Sequence, residues 1–198
     1  VIPLTLESDL NLLDLDKTKR VFAKLFPDVV YNLASYGGGL HYVAKYPADV
    51  FHINMQMVLN LYKAVSLVCP KAAIVNTLAN CSYPGEAIIQ RESEWFDGQV
   101  HESVYAYGNV KRMQYVVSYC YKKQYGTRSI NFIVSNHYGP GDYTDPIKVH
   151  AINGMIIRMI KLKRERKSEF EIWGTGKPVR EWSYIDDIVS VLTKGLTI

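Results

Sequence analysis

The sequence predicts an α/β fold built on a parallel sheet, and two observations carry that prediction. Short, β-branched apolar runs recur at Val1–Leu6, Val29–Ala34, Ala73–Leu78 and Ser129–Val134, with a shorter candidate at Phe170–Trp173. Runs of this kind belong to strands covered on both faces. Amphipathic stretches lie between them, and strands alternating with helices indicate βαβ units.

The elements follow in order. Val1–Leu6 reads as a strand running into a loop, and Lys17–Phe26 as the first helix. After the Val29–Ala34 strand, Pro47–Cys69 opens with proline at a favoured first-turn position. Its apolar stripe is Val50, Ile53, Met57, Leu61, Ala64 and Val68, spaced for one helix face. A third helix is expected from about Val104 to Tyr125, between the Ala73–Leu78 and Ser129–Val134 strands, and a fourth from about His150 to Lys163. The chain opens inside a strand and closes at GLTI inside a further helix, so both ends are expected to be cut.

Composition narrows the function classes. The 198 residues are 48% hydrophobic and 21% charged with a net charge of +4, the balance of a water-soluble domain. The densest basic run, Lys161–Lys167, contains a glutamate and reads as a solvated helix end, so no nucleic-acid partner is expected. Cys69, Cys81 and Cys120 are odd in number and show no metal-ligand or disulfide spacing, which points to a reducing, cytoplasmic setting without metal. No apolar run approaches the ~20 residues of a membrane span, no signal-peptide pattern is seen, and no membrane association is expected.

In parallel sheets, ligands sit beyond the carboxyl ends of the strands. The loops after the apolar runs are therefore where chemistry is sought. Tyr107 and Lys111 in VYAYGNVKRM are four residues apart and share one helix face. An ammonium beside a phenol favours the phenolate. Such a tyrosine can exchange a proton with a sugar oxygen while a hydride moves at the same carbon.

These motifs fall in an order that resembles the extended short-chain dehydrogenase/reductase (NAD-dependent epimerase/dehydratase) family, most of all its GDP-L-fucose synthase branch. The resemblance runs through DLNLLD (Asp9–Asp14), DVVYNLASYGGG ending at Gly39, YPADVFHIN ending at Asn54, CSYPG (Cys81–Gly85) and YGNVK (Tyr107–Lys111). It continues through SNHYGPGD (Ser135–Asp142), His150 and WGTGKPVREWSYIDD (Trp173–Asp187). It implies a Rossmann-type doubly wound parallel sheet whose first strand and glycine-rich turn are missing from this chain, plus part of a small C-terminal substrate domain. The expected boundaries are a cofactor-binding domain over 1–145, incomplete at its N-terminus, and part of a substrate-binding domain over 146–183. A helix over 184–198, incomplete at its C-terminus, returns to the first domain.

The resemblance also implies roles. Tyr107 and Lys111 match the acid/base tyrosine and its lysine. Cys81 and His150 match the pair that moves protons at the carbons beside a ketone. Asn11, Leu12, Leu33, Ala34, Ser35, Ser135 and Asn136 match cofactor contacts, together with Tyr107 and Lys111. Asn80, Ser82, Asn136, Arg158, Trp173 and Arg180 match the substrate side, with the two arginines on its diphosphate. Asn54 matches a brace for the helix beside the lysine. Read alone, Cys81 is an inert buried thiol, the usual state of a lone cysteine, and His150 a surface or helix-capping residue. A thiol and an imidazole, ordinarily near ~8.5 and ~6.5, suit proton transfer about neutrality. Arginine suits a diphosphate through paired, charge-assisted hydrogen bonds.

The pattern has departures. Four residues before Tyr83, where the family has a catalytic serine or threonine, stands Ala79. Thr77, Asn80 and Ser82 are the polar candidates nearby. The cofactor is NADP or NAD. Glu7, with no arginine or lysine before Lys17, favours NAD. The expected function is an NAD(P)-dependent epimerase/reductase on a nucleotide-linked, foremost GDP-linked, 4-keto-6-deoxy sugar. The alternatives are an NAD-dependent nucleotide-sugar 4-epimerase or dehydratase, and a catalytically impaired sugar-nucleotide-binding relative. A homodimer is expected through the Tyr107/Lys111 helix, with Val110, Met113 and Val117 as contacts.

Overall fold

The computed structural model describes residues 1–6, 10–145, 148–172 and 174–195. Helix α1 (Leu15–Leu25) starts where Asp14 accepts a hydrogen bond from Lys17 N, and stops where Phe26 turns left-handed before Pro27. Strand β1 (Val29–Asn32) leads through a glycine-rich loop into α2 (Leu40–Lys45) and α3 (Pro47–Val68), which has proline in its first turn. Strand β2 (Ala73–Ala79) follows, and then α4 (Tyr105–Tyr125), which ends on left-handed Gly126. Strands β3 (Arg128–Val134) and β4 (Asn136–Tyr138) precede α5 (Ala151–Arg164), β5 (Trp182–Tyr184) and α6 (Ile185–Lys194).

The main sheet is parallel, in the order β1-β2-β3. Helices α2 and α3 connect the first pair and α4 the second. The βαβ architecture expected from the alternating pattern is therefore present. β2 lies in the middle, and Ile74, Val75 and Leu78 on it are buried. α1 and α3 pack Phe22, Leu61, Tyr62 and Val65 against Ile74. Burying side chains of this size stabilises by roughly 1.5–3 kcal/mol each.

The sheet also carries a buried polar ladder. Asn32, Asn76 and Asn131 face one another in register across the three strands. Asn76 Oδ1 accepts from Asn32 (3.1 Å) and Gln114 (2.8 Å), and its Nδ2 donates to Tyr62 Oη (2.6 Å) and Asn131 (2.9 Å). Two acceptor and two donor sites are all a carboxamide has. A one-residue slip would break all four bonds, so the ladder fixes register where the apolar residues alone fix only the face.

Three expectations are corrected. Val1–Leu6 pairs with no described strand; Leu4 packs against the Phe22 cluster instead. Val1, Ile2 and Leu6 stay exposed, so one packed leucine stands in for the expected strand, which also needs a ladder partner for its backbone. Phe170–Ile172 forms no strand either, and Phe170 lies under the Arg158 guanidinium. Val110, expected at a dimer seam, is 1% exposed within the monomer core. Conversely, α2 and the parallel pair β4-β5 were not expected. The first is six residues long after three glycines, and the others are three-residue polar strands, too short for periodicity to register.

Candidate active site

The carboxyl ends of β1 and β2 open toward the start of α4, and three side chains meet there. Tyr107 Oη and Ser35 Oγ share a hydrogen bond of 3.1 Å. Lys111, one helical turn on, lies with Nζ 5.4 Å from the Tyr107 ring centroid. Lys111 is buried and donates to the Thr77 carbonyl at 3.0 Å, which leaves two of the three ammonium donors for other acceptors. The Ser35 loop is pinned from α3: Asn54 accepts from Tyr36 N (2.9 Å) and donates to Tyr36 O (2.7 Å) and Val50 O (2.6 Å).

The turn after β2 brings Cys81 against α4. A Cβ on Gly108 would stand 2.8 Å from Cys81 O, so glycine allows this close approach. Burial pushes the Cys81 thiol up to about 11, against the opposing pull of the Lys111 ammonium. The thiol expected to be tuned toward neutrality is thus a protonated donor in the resting protein. Asn80 sits half-buried beside it. Ser82 is corrected: it is fully buried, donates to Ala79 O and accepts from Trp95 Nε1 (2.9 Å), so it braces the turn and does not face a substrate. Arg112 ties the same turn down, donating from Nε to Ser82 O and from a terminal nitrogen to Gly98 O, both at 2.7 Å.

His150 precedes α5 and is anchored by Asp142, with Nδ1 2.8 Å from Oδ1. The other carboxylate oxygen accepts from His150 N (3.2 Å) and Asn153 Nδ2 (2.6 Å). Burial works to raise the Asp142 carboxyl, but these hydrogen bonds prevail and hold it below the usual carboxylate range. With Nδ1–H directed at a carboxylate, Nε2 is the ring nitrogen left to accept a proton. Lys148 O, two residues earlier, accepts from Gly39 N at 3.1 Å and joins this segment to the loop after β1.

Ser135 Oγ pairs with Ser183 Oγ at 2.7 Å, and Asn136 donates to Glu181 O at 3.3 Å, so both belong to the β4-β5 junction. Asn11 Oδ1 accepts from Leu13 N (3.0 Å), and Asn60 holds Leu12 O (2.8 Å). Leu33 and Ala34 are exposed beside Ser35 at the end of β1. Arg158 donates to Glu171 O at 3.3 Å, and Arg180 is exposed with a bond to Val179 O. Trp173 and Glu7 lie outside the described residues. Among the described residues, no hydrogen bond joins Cys81, His150, Arg158 or Arg180 to the Ser35, Tyr107 and Lys111 group.

Sequence reasoning missed Asp142, Asn60 and the Thr77 carbonyl. Asp142 had a signal, since it closes the GPGD turn eight residues before His150. A backbone carbonyl leaves none. Among the described residues, no group of three or more His, Cys, Asp or Glu is placed to hold a metal, and no helix is long and apolar enough to cross a membrane.

The site suits a nicotinamide dinucleotide on its own features. An exposed Leu33 and Ala34 offer apolar surface at a strand end, and the Lys111 ammonium has donors to spare for ribose hydroxyls.

Comparison with known proteins agrees with this frame. The model of the NAD dependent epimerase/dehydratase family matches residues 6–197. A GDP-L-fucose synthase of Dictyostelium discoideum is 31% identical over 186 residues, covering 91% of this chain and 56% of that protein. The chain thus spans little more than half the length of such relatives. A GDP-D-glycero-L-gluco-heptose synthase of Campylobacter jejuni, solved in the presence of NADPH, shares the fold with a TM-score of 0.85 at 21% identity, over 99% of this chain and 66% of that one. A GDP-L-fucose synthetase of Naegleria fowleri, solved with NADP, does so with a TM-score of 0.82 at 24% identity, over 96% and 62%. By its match along nearly the whole sequence and its Rossmann-type sheet, the chain belongs to the NAD dependent epimerase/dehydratase family, within the extended short-chain dehydrogenase/reductases.

Proposed function

We propose that this chain carries the proton-transfer centre of an NAD(P)-dependent epimerase/reductase acting on a GDP-linked 4-keto-6-deoxy sugar. The observation that carries the reading is the half-buried Tyr107 phenol, flanked by a hydroxyl and an ammonium at the carboxyl ends of parallel strands. The names of the matched relatives supply the sugar class. Both dinucleotides remain candidates: NADP from the relatives solved with it, and NAD from Glu7 and the lack of early basic residues.

When bound, the dinucleotide supplies or accepts the hydride. Tyr107 gives the proton to the sugar oxygen, and the Lys111 ammonium stabilises the phenolate that remains. Lys111 also holds the cofactor ribose, and Leu33, Ala34, Ser35, Ser135 and Asn136 line its path, with Asn11 and Leu12 toward the adenine. At the carbons beside the ketone, His150 Nε2 removes a proton, and the Cys81 thiol, protonated at neutrality, delivers one to the opposite face. Asn80 and Asn136 face the sugar, and Arg158 and Arg180 hold the diphosphate with the Trp173 segment. A homodimer through α4 accords with the exposed Tyr105, Tyr115 and Tyr119 on that helix, and a cytoplasmic setting with three free cysteines.

The test is deuterium uptake from heavy water into a GDP-4-keto-6-deoxy sugar by the full-length protein. The expected result is exchange beside the ketone that falls at least ~100-fold in Cys81→Ser and His150→Asn. A sugar left unlabelled by wild-type protein would refute the reading.

A further inference from the structure

We propose that Ser35 is the hydroxyl partner of Tyr107 in proton transfer, holding the phenol in place and passing protons between it and solvent. This rests on the functional reading above.

The surrounding hydroxyls narrow the choice to Ser35. Thr77 directs its hydroxyl to Asn32 O at 3.4 Å. Ser82 is sealed in the interior and engaged with Ala79 O and the Trp95 indole. Ala79, which alternation places on the same face of β2 as Thr77, has only a methyl group. Ser35 meets Tyr107 at 3.1 Å from a different strand end, that of β1.

Ser35 is also built into position. Asn54, itself buried, grips both the N–H and the C=O of the next residue, Tyr36, and is tied to its own helix through Val50 O. The serine backbone is therefore fixed to α3, and the contact with Tyr107 joins α3, the β1 loop and α4. Ser35 is exposed while Tyr107 is half-buried, so the hydroxyl stands between the phenol and water.

The relay balances without redox change. As the Tyr107 O–H bond breaks, its proton joins the sugar oxygen and leaves a phenolate beside Lys111. Ser35 gives its proton to the phenolate oxygen while taking one from a solvent acid, so no serine alkoxide forms. One proton passes from solvent to substrate, and both side chains return to their starting state. For oxidation the sequence runs in reverse.

The experiment uses the full-length protein with Ser35→Ala, Ala79→Ser and the double variant. The first readout needs no substrate: the Cζ resonance of Tyr107 in carbon-13 tyrosine-labelled protein, identified by its loss in Tyr107→Phe. We expect it to move in Ser35→Ala and to return toward wild type in the double variant, where a hydroxyl is restored from β2. The second readout is kcat, expected to fall roughly 10–100-fold in Ser35→Ala with KM for the sugar within about twofold, and to recover in the double variant. The solvent-isotope proton inventory should change from curved in wild type to linear in Ser35→Ala, which a purely structural role would not produce. A Tyr107 resonance unmoved by Ser35→Ala overturns the proposal, whatever the turnover. Wild-type protein without turnover overturns the functional reading and the proton-passing role with it, and the resonance then decides only whether Ser35 holds the phenol.

Discussion

The ammonium of Lys111 is anchored on the Thr77 carbonyl at 3.0 Å, so a charge from α4 is fixed to the middle strand of the sheet. This one charge acts on two neighbours, the Tyr107 ring 5.4 Å away and the half-buried Cys81 thiol. Lys111→Met keeps most of the side-chain volume and removes the charge. It is expected to lower turnover by roughly 10²–10⁴-fold, and steady-state kinetics on the purified variant will check this.

Cysteine reactivity gives a second prediction. Burial raises the Cys81 thiol to about 11, whereas Cys120 is exposed. Thiolate is the reactive form. At pH 8, iodoacetamide should therefore label Cys120 first and Cys81 much later, as followed by peptide mass spectrometry. Lys111→Met should slow Cys81 further, because the ammonium opposes the upward shift. Labelling of Cys81 as fast as Cys120 would contradict the half-buried, protonated thiol.

The asparagine ladder yields a stability prediction. Asn76→Leu leaves Asn32, Asn131, Gln114 and Tyr62 each short of a buried partner. Unmet buried groups cost about 1–3 kcal/mol each before relaxation. A net loss of about 3 kcal/mol or more is expected in urea unfolding, with the m-value unchanged. A loss under about 1 kcal/mol would mean that the ladder does not hold the register.

Asp142 predicts a pH dependence. Its carboxyl titrates lower in the folded protein than an ordinary aspartate, so its contribution is present above the unfolded value near ~4. That contribution is lost as pH falls through the folded value. The stability gap between wild type and Asp142→Asn should therefore shrink from pH 6 toward pH 3, measured by urea titration at each pH. A gap that widens on acidification would reverse the assignment.

Much of this was legible in the chain, for physical reasons. Long helices such as Pro47–Val68 and buried strands such as Ala73–Ala79 repeat their pattern often enough to be read. Tyr107 and Lys111 were legible because helical spacing places them together. Ser35 was legible only as a cofactor contact expected from the family resemblance, whereas its bond to Tyr107 spans 72 residues and depends on the Asn54 clamp. Asn76 stood in the middle of an apolar run, and only strand register shows that Asn32 and Asn131 answer it. Ser82 was misplaced because its burial depends on Trp95, thirteen residues on. For Ser35, Asn76 and Ser82 the deciding contact is non-local.

The most direct test of the account is Tyr107→Phe in the full-length protein, assayed for reduction of the 4-keto sugar with thermal unfolding measured alongside. The account predicts a rate reduced roughly 10²–10⁴-fold, with an unfolding midpoint close to wild type. Turnover within twofold of wild type in a folded variant would contradict it.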